Sequence, residues 1–176
     1  MSTPSLPSTI LIIRHGEKPG DPATDNPADG IDLSTRGYER AAALAPYVIA
    51  TFGAPAFLFA TQASKHSNRP VETITPLSQA SKQPINSDYA DADYAALAGA
   101  ILGSGAYAGK LVLICWHHGN IVALTQALGG QPPVPSWQGT VFDRVWQLNY
   151  SSGAKGGEQL PVANLAQKLL FGDESV

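Results

Sequence analysis

Apolar residues fall along this chain in short blocks of two kinds. Thr9 to Ile13 (TILII), Ala56 to Ala60 (AFLFA) and Leu111 to Trp116 (LVLICW) are apolar throughout. That pattern suits strands covered on both faces of a sheet. Elsewhere apolar positions recur at helical spacing. Tyr38 to Phe52 predicts a helix with Ser34 ahead of it as N-cap, and Pro46 inside it predicts a kink or a shifted boundary. Arg69 to Lys82 predicts a second helix, with Pro70 in its first turn and Pro76 as an objection. Ala92 to Leu102 and Gly119 to Leu128 predict two more, closed by Gly103 and by Gly129-Gly130.

Weaker signals complete the pattern. Pro84 to Asp88 suggests a short strand, and Val141 to Tyr150 alternates imperfectly as another. Ser151 to Gly157 reads as a glycine-rich turn from which Glu158 to Asn164 returns as an edge strand. Gly16 to Asp32, rich in proline and glycine, reads as a loop. Strands alternating with helices predict an α/β protein: a three-layer α/β/α sandwich with a mostly parallel central sheet. No repeat or long linker divides the chain, so residues 1–176 are expected to form a single domain.

Composition narrows the classes. Hydrophobic residues make up 44% of the 176, enough for one sizeable core, and charged residues only 14%, which argues against disorder. A net charge of -3 argues against a general nucleic-acid binder. No apolar run is long enough to span a membrane, and Met1 to Thr9 lacks the features of a secretory signal. The single cysteine, Cys115, lies in an apolar strand and reads as a buried, inert thiol. A cytoplasmic location is the resulting expectation.

Candidate chemistry gathers at strand ends. In open α/β sheets, ligands bind beyond the carboxyl ends of the strands. Arg14-His15 follows the first strand, Ser67-Asn68-Arg69 follows the second, and His117-His118 follows the Leu111 strand. Arginine offers a permanently charged fork of donors that matches phosphate oxygens. A neutral imidazole can attack phosphorus. These residue types at one sheet edge point to a site for a tetrahedral dianion. Zinc is a weaker reading, because two arginines would repel a divalent cation.

The segments also resemble a known family. Arg14-His15-Gly16-Glu17, Leu33-Ser34-Thr35-Arg36-Gly37, Ser67-Asn68-Arg69-Pro70 and Cys115-Trp116-His117-His118-Gly119-Asn120 are similar, in order, to the motifs of the histidine phosphatase superfamily. The resemblance spans residues 10 to 121 and implies a phosphoglycerate mutase-like fold. It implies that His15 is the covalent nucleophile. Arg14, Arg69 and His118 would hold the phosphoryl oxygens, His118 being preferred to His117 because Gly119 follows it. No metal or other cofactor is implied.

The family's usual glutamate proton donor has no counterpart. Ungapped counting from Arg69 reaches Asp93, with Asp88 and Asp91 as neighbours and helix capping as the alternative role. Glu17 reads as a further nearby carboxylate or as a charge partner for Arg14 or Arg69. His117 could pack on the other side of the strand end, and His66 could line the rim.

Glu17, Asp21, Asp25, Asp29 and Asp32 face Lys18 alone in the loop after His15. An acidic rim disfavours substrates with several phosphates. The expectation is a phosphatase for a small phosphomonoester, with a non-catalytic phosphate-ligand binder and a mutase-type phosphotransferase as alternatives.

Overall fold

The structure is a computed structural model, and it describes residues 6–20, 30–150 and 159–174. Seven strands form one sheet: β1 (Thr9–Arg14), β2 (Phe57–Ala60), β3 (Ile85–Asn86), β4 (Leu111–Trp116), β5 (Gly130–Gln131), β6 (Arg144–Asn149) and β7 (Leu160–Ala166). Four helices accompany them: α1 (Thr35–Phe52), α2 (Arg69–Ser81), α3 (Tyr94–Leu102) and α4 (His118–Ala127). The strand order is β3-β2-β4-β1-β6-β7-β5.

The sheet is less uniformly parallel than expected. β2 pairs parallel with β3 and β4, and β1 parallel with β4. β6 then runs antiparallel to both β1 and β7. The two-residue β5 adds beyond β7, so the returning strand is not the edge. The predicted turn over 151–157 lies outside the described residues.

Alternation along β1 divides the core. Leu11 and Ile13 point into one cluster with Leu44 and Val48 of α1 and Ile74 and Leu77 of α2. Ile10 and Ile12 point into the other, with Leu97 and Ile101 of α3 and Ile121 and Leu124 of α4. Helices therefore cover both faces, which is why these strands lack polar alternation. All four β1 residues are fully buried. Each such aliphatic side chain contributes about 1.5–3 kcal/mol. Cys115 is a buried free thiol. No helix among the described residues is long and apolar enough to cross a membrane.

Local differences have physical causes. α1 runs through Pro46 without a shifted boundary, starting where the Ser34 side chain accepts the Gly37 N–H. α2 also runs through Pro76 and stops at Lys82, whose left-handed backbone accepts no further turn. The β6 strand begins only at Arg144, because carbonyls of the preceding segment are engaged by Arg14.

Candidate active site

β1 and β4 pair in parallel with Arg14 opposite Trp116, and the His15 N–H donates to the Trp116 carbonyl at 3.3 Å. The first residues beyond the two strands, His15 and His117, therefore stand level at the carboxyl edge. Their rings meet edge-on, with centroids 5.1 Å apart and planes inclined by 69°.

His15 Nδ1 lies 2.7 Å from the Gly16 carbonyl. A carbonyl can only accept, so Nδ1 carries the proton and Nε2 keeps its lone pair. Burial pushes the His15 pKa down to about 3; the Gly16 hydrogen bond works against this, and Arg14, His117 and Arg69 add to it. The ring is thus neutral near pH 7, the form a nucleophile needs.

Two arginines surround it with unused donors. Arg14 Nη1 donates to the carbonyls of Gly139 at 2.7 Å, Val141 at 2.9 Å and Gln138 at 3.4 Å. Its guanidinium lies 3.7 Å from the Phe142 ring centroid. Arg14 Nε and Nη2 are buried with no acceptor among the described residues, as is Arg69 Nε. Arg69 Nη1 donates to the Gly30 carbonyl at 2.8 Å. Burial lowers both arginine pKa values, that of Arg14 to about 10, yet both stay charged near neutrality. A buried donor left unsatisfied costs about 1–3 kcal/mol, more when charged. Three of them around one neutral imidazole suit an anion.

The loop carrying His15 is anchored on two sides. The Gly16 N–H donates to Thr73 Oγ1 at 2.8 Å, and that hydroxyl donates to the Arg69 carbonyl at 2.7 Å. One hydroxyl thus links the nucleophile's loop to the helix bearing Arg69. On the other side, Ser34 Oγ donates to the Glu17 carbonyl at 3.2 Å, and the Ser34 N–H reaches it at 2.9 Å. A Cβ at Gly37 would stand 2.4 Å from that carbonyl oxygen, so only glycine fits there.

Among the described residues Glu17 makes no hydrogen bond or close ion pair with Arg14 or Arg69; its charge reaches Arg14 only at longer range, working against the lowering of the Arg14 pKa. The Glu17 carboxylate accepts from Arg40 at 2.7 Å and pairs with Arg36 at 3.3 Å. Arg40, 2% exposed, also binds Asp173 at 2.7 Å. Asp173 in turn accepts the N–H groups of Leu169 and Leu170. This buried charge cluster leaves the positive charge of Arg14 and Arg69 uncancelled at hydrogen-bond range.

Both histidines after β4 stand at this edge: β4 ends at Trp116, which places the His117 ring against His15, while His118 lies on the side of Arg14 and Gly139. His118 opens α4, with Nε2 3.6 Å from where a Cβ at Gly139 would stand. Burial lowers both histidine pKa values, Arg14 lowers them further, and Asp91 works against this in both. Asp93 is exposed, and its carboxylate accepts the Ala90 N–H, the capping role. Asp91 is the carboxylate beside the histidines. Its Oδ2 accepts from Asn120 at 2.9 Å, and its Oδ1 is buried without a partner among the described residues. The Asp91 carbonyl accepts the Trp116 indole N–H at 3.2 Å.

Asp88 and His66 are exposed. The Thr61 hydroxyl, just past β2 at the same edge, is buried and without a hydrogen-bond partner among the described residues. Neither Thr61, Thr73 nor Asn120 was foreseen from sequence. Each is an ordinary polar residue that only the sheet order brings to this edge.

No family model matches the chain, and no curated protein matches it in sequence. Solved structures do match its fold. A mycobacterial glucosyl-3-phosphoglycerate phosphatase is 15% identical at a TM-score of 0.52, over 90% of this chain and 97% of that one. A phosphoglycerate mutase from Bacillus anthracis is 13% identical at a TM-score of 0.53, over 93% and 94%. A phosphoserine phosphatase from Entamoeba histolytica is 12% identical at a TM-score of 0.53, over 92% and 99%. The chain shares its fold, a phosphoglycerate mutase-like one, with these phosphatases and this mutase.

Proposed function

We propose that this protein is a phosphatase that hydrolyses a small phosphomonoester through a phosphohistidine on His15. One observation carries the reading: a buried, neutral His15 with a free Nε2 stands among three guanidinium nitrogens that have no acceptor among the described residues. The arginines would bind the phosphoryl oxygens and offset charge as the transition state forms.

In the first step Nε2 attacks phosphorus, the N–P bond forms and the P–O ester bond breaks. The leaving oxygen takes a proton, for which Asp91 is the group best placed. Water then attacks phosphorus, giving its proton back to Asp91. The N–P bond breaks, and inorganic phosphate leaves with His15 neutral again. His117, against the His15 ring, would hold a phosphoryl oxygen, with His118 on the Arg14 side as the other candidate.

The relatives with this fold include a mutase as well as phosphatases. The phosphatase reading rests on the acid-rich sequence of the loop after His15, in which Lys18 is the one basic residue from Glu17 to Asp32. Glu17 is engaged with Arg36 and Arg40, and Asp32 accepts from Asn68. Asp21, Asp25 and Asp29 lie outside the described residues.

Wild type and His15→Ala, incubated with p-nitrophenyl phosphate with and without chelator, test the proposal. The expected result is chelator-insensitive hydrolysis that His15→Ala abolishes, with acid-labile phosphate trapped on wild type. Unimpaired hydrolysis by His15→Ala would overturn it. Phosphate binding without any hydrolysis would leave a non-catalytic binder.

A further inference from the structure

The segment 134–141 has two faces. One supplies the carbonyls that hold Arg14. The other borders a cavity of about 330 Å³, with Trp137, Val141, Arg144, Trp146 and Asn164 in its lining. That volume suits a small ligand. Trp146 and Asn164 are register partners on β6 and β7, so the cavity lies on the sheet face that α3 and α4 cover elsewhere.

Its lining has a specific chemistry. The Trp137 and Trp146 rings pack together with centroids 4.8 Å apart, giving a flat-sided apolar wall. At the polar end, Arg144 Nη1 and Asn164 Oδ1 are both buried and have no partner among the described residues. One is a donor and the other an acceptor. Arg144 already meets Glu174 at 3.3 Å and Asp143 at 3.7 Å. Its charge is therefore balanced, and the remaining Nη1 suits a neutral carbonyl better than an anion. Buried polar groups with nothing to bind are rare. A ligand that satisfies both must present an N–H and a C=O from a mostly apolar, flat body.

The cavity is also wired to the phosphate site. The Trp137 indole N–H donates to the Val141 carbonyl at 2.9 Å. Arg14 Nη1 donates to that same carbonyl at 2.9 Å. A ligand packed against Trp137 therefore bears on an acceptor that positions Arg14.

We propose that this cavity is a second binding site for a small planar cyclic amide, bound by Arg144, Asn164 and the two indoles, and that its occupation tightens phosphate binding at Arg14. The second half rests on the phosphate-site reading above; the first half does not.

Uracil is the probe, titrated by indole fluorescence and by calorimetry. Expected is a saturable response that weakens about tenfold or more in Asn164→Ala, which removes a buried acceptor that has no hydrogen-bond partner among the described residues. 1,3-Dimethyluracil keeps the ring and carbonyls but lacks N–H, and should bind weaker by a similar factor. Saturating uracil should raise affinity for inorganic phosphate on the order of fivefold. Trp137→Phe keeps the apolar wall but loses the indole N–H, so uracil should still bind without changing phosphate affinity. No saturable response, an undiminished response in Asn164→Ala, or equal binding of the dimethyl compound would overturn the site. Phosphate affinity unmoved by bound uracil would overturn the coupling alone. Uracil binding in a protein that does not bind phosphate would overturn the coupling together with the phosphate-site reading and leave the cavity site standing.

Discussion

The ring of His15 stands edge-on to the ring of His117, with centroids 5.1 Å apart. The two histidines after β4 are therefore not equivalent. Removing His117 should lower kcat/KM for an aryl phosphate about 10²–10³-fold, the usual cost of losing a preorganised donor. Removing His118 should cost distinctly less. Steady-state kinetics of the two alanine variants decide this, and the reverse ranking would return the role to His118.

Asp91 is expected to matter in proportion to how badly the leaving oxygen needs a proton. Asp91→Asn should lose about 10²–10⁴-fold with an alkyl phosphate. It should lose little with p-nitrophenyl phosphate, whose leaving group departs as a stable anion. Asp93→Asn should behave as wild type, since its carboxylate caps Ala90 at the surface. Equal losses of Asp91→Asn on both substrates would remove Asp91 from proton transfer.

Phosphate binding should take up protons. Burial, assisted by Arg14, pushes the His117 and His118 pKa values below the ordinary 6.5 in the empty site. A bound dianion favours the charged imidazolium and raises them. Phosphate affinity should therefore increase as pH falls from neutrality toward 6. Calorimetry in buffers of different ionisation enthalpy, with sulfate as a dianion that brings no proton of its own, reads the uptake directly. A binding heat independent of buffer at pH 6 would contradict it.

His15 should make the fold acid-sensitive. Its pKa is about 3 when folded, against 6.5 as the ordinary value. Between these values the unfolded chain binds more protons than the folded one, so stability falls as pH falls from about 6.5 toward 3. The slope from this single group approaches about 1.4 kcal/mol per pH unit. In denaturant melts His15→Asn should show a shallower decline over that window. Parallel curves for the two proteins would rule the contribution out.

Gly37→Ala should destabilise the protein by about 1–3 kcal/mol or more, since the added methyl meets backbone rather than a movable side chain. Because the collision is with Glu17, two residues from the nucleophile, activity should fall even where the variant remains folded. A variant with wild-type melting and turnover would refute the close packing.

Much of this was legible in the sequence because it depends on neighbours in the chain. β4 was predicted with the bounds it has, and β2 to within one residue, since unbroken apolar runs leave little choice. Arg14, His15 and Arg69 could be placed at one edge because Arg14 ends a strand, His15 directly follows it and Arg69 opens a helix there. The histidine choice turned on a glycine, whereas the position of the strand end decides which ring faces His15. Asp91 and Asp93 are two apart in a turn with about three residues per turn, so they face different ways. Counting along the chain cannot separate such neighbours. The attachment of Arg14 to residues 138–141 spans more than 120 positions and left no local signature.

The cluster of Glu17, Arg40 and Asp173 has a consequence for how the site comes into being. Arg40 and Asp173 are 133 positions apart, and their contact is buried. Such long-range contacts form late, after the loop-closure entropy of the intervening chain has been overcome. A nascent chain that has emerged through α4 already holds the nucleophile, both arginines and both histidines. Its His15 loop nevertheless lacks the carboxylate that shares Arg40 with Glu17. Phosphate chemistry in this protein should therefore switch on at the last stage of folding, when residues near Asp173 dock, rather than when the catalytic side chains first meet.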